Sequence, residues 1–289
     1  MKFPIESIRA GATLAPPGAS ATAAAASNLG DLPEWNLGDL YAGMDAPELQ
    51  RDIARAQSDA VAFETEWKGR IAEATKDPQS GGLGAMMHAY EALEELIGRI
   101  VSYASLVYAG DTGDPKRAKL YGDIQEKMTD ASAHLLFFSL ELNKVEEADI
   151  AAALDADPAF GRYRPWVEDL RKDKPYQLED RVEQLFHEKS ITGRGAWHRL
   201  SDETMSALRF SVEGEELSLE PTLNLLQDPD GEKRRHASEA LARTFKDNLR
   251  IFTLITNTLA KDKEISDRWR GFDDIADSRH LANRVERPV

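Results

Sequence analysis

Residues 45–71 read DAPELQRDIARAQSDAVAFETEWKGRI. Leu49, Ile53, Ala56, Ala60, Phe63, Trp67 and Ile71 recur at spacings of 4 and 3. That period predicts one apolar stripe along an α-helix of about seven turns. Asp45 with Glu48 three residues on marks the helix start. A stripe this long must be covered, and the sequence that follows supplies the partners.

Lys76 to Gly84 is a Gly/Pro/Ser break. A second helix is expected to run to about residue 109. It carries Met87, Tyr90, Leu93, Ile97, Ile100, Ala104 and Val107 on one side. Gly110 and Gly113 end it, and Asp114-Pro115 begins a third helix with a cap and a proline at the first helical position. Its stripe is Leu120, Ile124, Met128, Ala131, Leu135, Phe138 and Leu142. Long helices joined by a few residues pack antiparallel. The fold class is therefore mainly α: a long antiparallel helix bundle, then further helices.

One segment breaks the helical period. Leu208, Phe210 and Val212 alternate, as do Leu217 and Leu219, with Glu213-Gly214 between them. This predicts a single small β-hairpin at about 208–219. Residues 232–268 are expected to form one long helix with Leu241, Phe245, Leu249, Phe252, Ile255 and Leu259 on its face. The domain reading is a flexible tail over 1–30, a helical bundle over 31–155, and a second helical region with the hairpin over 156–289.

Composition narrows the function classes. The 289 residues carry a net charge of −15. Such a surface repels phosphate backbones and gains nothing from anionic lipid, so no nucleic-acid or membrane partner is expected. No stretch approaches the roughly 20 apolar residues of a membrane span. Cysteine is absent, which excludes disulfides, thiolate metal sites and a cysteine nucleophile. The expected location is cytoplasmic.

The search for chemistry returns little. Zinc peptidases place two histidines at i and i+4 on a helix, with a glutamate as general base. The six histidines are His88, His134, His187, His198, His236 and His280, and no two are four apart. His187-Glu188 begins such a motif, but the second position is Ile191. No residue qualifies as catalytic or as a metal ligand. Asp277 and His280 keep a spacing of three with the shorter acid, better read as structural or cleft-lining. Lys261, Asp262, Lys263 and Glu264 read as a solvated face.

A family resemblance runs through the ordered region. LPEWNLGDLY at 32–41 resembles the opening motif of oligoendopeptidase F proteins, zinc metallopeptidases of the thimet oligopeptidase-like M3 family. Ser190-Ile-Thr-Gly193 through Trp197 and LRFSVEGEELSL at 208–219 are similar to their later segments. So are Asp228-Pro-Asp with Arg234-Arg235, NTLAKDKEISDRWRGF at 257–272 and DSRHLAN at 277–283. The resemblance implies a mostly helical protein whose deep cleft admits short peptides. It also implies zinc bound by an HExxH helix in a C-terminal catalytic half, which is a partner of this region and has no counterpart in the sequence. On that basis the chain is the N-terminal, substrate-enclosing part, expected to bind no metal and to be inactive alone. Arg279, His280 and Asn283 are the substrate-cleft candidates. The alternative is a non-catalytic helical scaffold or protein-interaction module.

Overall fold

A computed structural model describes residues 35–77 and 82–288. The tail expected over 1–30 lies outside the described residues. Helix dominates, with one two-stranded antiparallel sheet, in agreement with the fold class read from sequence. The chain divides into two compact units, residues 1–188 and 189–289.

The first unit is built on α1 (Pro47–Trp67), α3 (Gly82–Gly110) and α4 (Pro115–Ala133), which pack on one another. Shorter helices complete it: α2 (Ile71–Lys76), α5 (Leu136–Lys144), α6 (Glu147–Ala156), α7 (Pro158–Gly161), α8 (Arg164–Arg171) and α9 (Asp180–Lys189). The predicted stripe of α1 is the buried one, with Leu49, Ile53, Ala56, Ala60 and Phe63 inside. Ala46 occupies the cap position without a side-chain bond, so the expected Asp45 cap does not form. Pro47 removes one of the donors that would have needed it. At α4 the cap forms as read: the Asp114 carboxylate accepts from the Lys116 N–H at 2.7 Å.

The α3–α4 turn is pinned from both sides. Tyr108 stacks on Tyr121 at 4.7 Å between ring centroids, and the Arg117 guanidinium donates to the Val107 carbonyl at 3.1 Å. The expected third helix breaks at His134–Leu135, giving α4 and α5. Two side chains account for the break. The Ser132 hydroxyl donates back to the Met128 carbonyl at 2.7 Å, a bond that weakens the helical ladder. His134 Nδ1 meets Glu64 Oε2 of α1 at 2.5 Å, which ties the broken turn to the neighbouring helix. Despite partial burial, the His134 and Lys68 hydrogen bonds hold the Glu64 carboxyl below the usual carboxylate range.

Residues 156–188 were grouped by sequence with the second region, yet Phe160 and Val167 lie in the core of the first unit. Trp166 of α8 comes within 5.8 Å of the Tyr90 ring. The Arg171 side chain is 7% exposed and donates to the Leu142 and Val145 carbonyls at the end of α5. The basic-aromatic run at 162–171 is thus a packed connector.

The second unit contains a turn of π-helix at Ile191–Gly195, α10 (Ala196–Ala207), β1 (Phe210–Val212), β2 (Glu215–Leu217), α11 (Leu219–Asn224), α12 (Gly231–Asp247), α13 (Leu249–Arg270) and α14 (Asp277–Asn283). The hairpin is where the alternation placed it, with Phe210 opposite Leu217 and Val212 opposite Glu215. Glu213 and Gly214 both have positive φ, 54° and 90°, as a two-residue turn of this hand requires. The non-glycine member is held by α12: Glu213 Oε1 lies 2.8 Å from His236 Nδ1. Arg235 reaches His236 Nε2 at 2.8 Å, so the neutral ring carries its proton on Nδ1.

The expected single helix over 232–268 is broken at Asn248, which separates α12 from α13. The Asn248 amide donates to the Thr244 carbonyl at 2.9 Å, where its own backbone N–H also bonds at 3.2 Å. A side chain competing for the helical acceptor ends the helix. The core of this unit is small: Leu208, Phe210, Val212 and Ala240, flanked by Leu241, Phe245 and Phe252. Ile255 is the buried residue of α13, while Leu249, Leu254 and Trp269 are more than half exposed.

Candidate substrate-cleft segment

The sequence between α13 and α14 folds by explicit local bonds. Gly271 ends α13 in the left-handed conformation, φ 75°. The Phe272 N–H then reaches the Asp267 carbonyl at 3.0 Å, closing the helix end. Lys263 ties the two helices together. Its ammonium contacts the Asp267 carboxylate and donates to the Ile275 carbonyl at 2.8 Å and the Ser278 hydroxyl at 2.9 Å. The sequence read Lys263 as part of a solvated face, whereas it is the clasp between α13 and α14. The Asp267 and Ser278 partners lie four and fifteen residues away, and only the first spacing is visible in a helix pattern.

α14 carries all three predicted site residues, Arg279, His280 and Asn283. Arg279 and Asn283, one turn apart, are exposed, and His280 is half-buried. The helix is clamped by Asp277, whose carboxylate takes both Nε and Nη2 of Arg287 and accepts from the Asp274 N–H at 2.9 Å. The Arg287 hydrogen bonds hold the Asp277 carboxyl down at about 2. Arg284 closes the C-terminus at φ 55°, and the Val285 N–H bonds the His280 carbonyl at 3.0 Å. The His280 ring is thereby placed on a short helix fixed at both ends. Sequence reading missed Asp277 and Arg287 as a pair, because a contact ten residues apart across a turn has no periodic signature.

The other histidines do not converge. His88 lies near Glu91, His134 bonds Glu64, His187 bonds Thr129, His198 accepts from Arg194, and His236 bonds Glu213. Among the described residues no group of three or more His, Cys, Asp or Glu side chains is placed to hold a metal ion. The described residues do not fit a zinc site. Two surface depressions follow α13, one at Asp247–Leu254 and one at Asn257–Ile265. The first is lined by the α12–α13 junction and the start of α13, the second by α13 alone, and both are open to solvent.

The described residues form a helical body with a small hairpin and a polar α14 held by Lys263 and Arg287, a fold that other proteins share. Comparisons with known proteins say which. The family model described as Oligopeptidase F matches residues 141–210. Oligopeptidase PepF of Bacillus subtilis (strain 168) is 21% identical over 241 residues, covering 79% of this chain and 34% of that protein. The crystal structure of oligoendopeptidase-F from Enterococcus faecium superposes with a TM-score of 0.70 at 17% identity, covering 83% of this chain and 47% of that one. These matches make the chain similar to oligoendopeptidase F proteins in sequence, and the solved structure shows that it shares their fold. The chain spans about a third of the length of the curated relative and about half of the solved structure.

Proposed function

We propose that this chain is the substrate-enclosing N-terminal part of a zinc-dependent oligoendopeptidase that hydrolyses short peptides. The observation that carries the reading is the shared fold with oligoendopeptidase-F across 83% of the chain. In this reading the helices wall a cleft that excludes folded proteins, and the zinc-binding residues belong to a catalytic portion outside the matched length. The exposed apolar residues of α13, Leu249, Leu254 and Trp269, offer that portion a packing surface. No helix among the described residues is long and apolar enough to cross a membrane.

Arg279, His280 and Asn283 face the peptide in this proposal. α14 is fixed by Lys263 and Arg287, so its outward side chains are held ready for a ligand. The test is Arg279→Ala with His280→Ala in the full-length enzyme carrying the HExxH portion. Loss of a charged hydrogen bond costs about 1.5–3 kcal/mol, so kcat/KM for a fluorogenic peptide should fall by about tenfold or more. An unchanged kcat/KM sinks the cleft role.

A further inference from the structure

The end of α12 and the start of α13 carry charge unlike the rest of the chain. Between Ala240 and Leu259 stand three cations, Arg243, Lys246 and Arg250, and one acid, Asp247, in a chain of net charge −15. The three cations are exposed. Other cations of these helices are engaged: Lys233 with Asp228, Arg235 with Glu232 and Glu239, and Lys261 and Arg268 with Glu264. Arg243, Lys246 and Arg250 have no side-chain hydrogen bond or ion pair among the described residues. Asp247 stands four residues after Arg243 and three before Arg250, yet bridges neither. Arg243, Lys246, Arg250 and Leu254 follow at helical spacings of 3, 4 and 4. Leu254 is 55% exposed and shares with Arg250 the depression at the α12–α13 junction. The pattern is a charged row that ends on an apolar side chain.

We propose that this row docks an acidic segment carrying an apolar side chain, its carboxylates meeting Arg243, Lys246 and Arg250 and its apolar side chain packing on Leu254. Charge complementarity selects the occupant. A second copy of the chain joined about a two-fold axis brings the same cations to the contact, and like charges repel. Phosphate backbones and anionic lipid have the right sign, but they extend well beyond the row and meet the repulsion of a chain of net charge −15. A short acidic segment stays within reach of the row, since screening limits exposed charges to about 8 Å at physiological ionic strength. An apolar contact beside charged ones gives such a surface both affinity and register. The owner of the segment rests on the proposed function: it is the catalytic portion, to which α13 is already offered. Its acidic chemistry rests on the row alone.

Fluorescence anisotropy on the 289-residue chain tests the chemistry. The probe is a labelled peptide of glutamate and leucine at helical spacing, and its counterpart has glutamine for every glutamate. The acidic peptide should bind, and binding should weaken as salt rises from about 0.05 to about 0.3 M. Arg243→Gln with Lys246→Gln and Arg250→Gln should weaken it about tenfold, the product of three exposed contacts each worth about two- to threefold. Leu254→Ser should also weaken it. Lys261→Gln with Arg268→Gln removes cations of α13 that already have a partner and should leave it unchanged. All these side chains are exposed, so the variants keep the fold, which circular dichroism checks. No binding, equal binding of the glutamine peptide or equal loss in the two charge variants overturns the proposal. So does tighter binding of a thymidine oligonucleotide or of anionic vesicles. The owner is tested by acetylating Lys246 with an amine reagent. It should react more slowly in the longer polypeptide with the HExxH portion than in this chain, and equal rates overturn that assignment. Failure of the longer polypeptide to cleave peptides would remove the proposed function and leave the anisotropy result standing.

Discussion

Phe138→Ala is expected to lower the stability of the first unit by about 3–5 kcal/mol, the range for deleting a buried phenyl ring. Phe138 is 1% exposed. Its ring lies 4.4 Å from that of Tyr90 on α3, 5.8 Å from Phe63 on α1 and 6.4 Å from Trp166 on α8. Three elements besides its own α5 would line the cavity left behind. Their backbones are fixed by other contacts, so the void cannot collapse, and the ring-pair interactions disappear with the buried area. Phe138→Leu keeps part of the volume and should cost roughly half as much. Urea unfolding followed by circular dichroism gives both values. A loss below about 1 kcal/mol for the alanine variant contradicts this account of the core.

Gly84→Val should destabilise the same unit by about 2–4 kcal/mol, because the site has no room for a side chain. A Cβ at Gly84 would lie 2.6 Å from the Cβ of Ala159 and 3.1 Å from Asp157 Oδ2. α3 and α7 meet closely here, and the Gly84 N–H donates to Asp157 Oδ2 at 3.1 Å. The same carboxylate caps α7 through the Ala159 and Phe160 N–H groups at 2.9 and 3.3 Å. Asp157 is 6% exposed, so Asp157→Ala leaves these donors short of an acceptor and should cost about 1–3 kcal/mol. The two changes act on one joint, so the double variant should lose less than the sum of the singles. Additivity in urea unfolding would show that the joint is not a unit.

The sequence made the helices of the bundle legible because their neighbours are apolar and their period is unbroken. Leu49 to Phe63 and Met87 to Ala104 bury the side that the 3.6-residue pattern indicates. The hairpin was legible for the opposite reason, a short switch to period two around Glu213-Gly214. Breaks were not. Ser132 and Asn248 end helices by bonding carbonyls four residues back, and such residues also sit harmlessly on helix surfaces. The placement of 156–188 was hidden because short helices such as α7 and α8 carry too few turns to show which core they serve.

The candidate site was legible as a segment rather than as a geometry. DSRHLAN does form its own helix, α14, with Arg279, His280 and Asn283 on it. What fixes that helix came from outside the pattern: Lys263 from α13, and Arg287 after its end. Both contacts cross a turn, where sequence separation says nothing about proximity. The histidine spacing was informative in the other direction. No two of the six histidines stand at i and i+4, and His134, His187 and His236 each take a separate partner.

In the proposed function this chain encloses substrate and leaves the chemistry to residues it does not carry. The measurement closest to it pairs metal analysis with peptide hydrolysis on the purified 289-residue chain, incubated with zinc and then desalted. Substoichiometric zinc and no chelator-sensitive cleavage of a quenched fluorogenic peptide are expected, with cleavage appearing only in a longer polypeptide that includes an HExxH portion. About one tightly held zinc per chain, together with cleavage that a chelator abolishes, would contradict it.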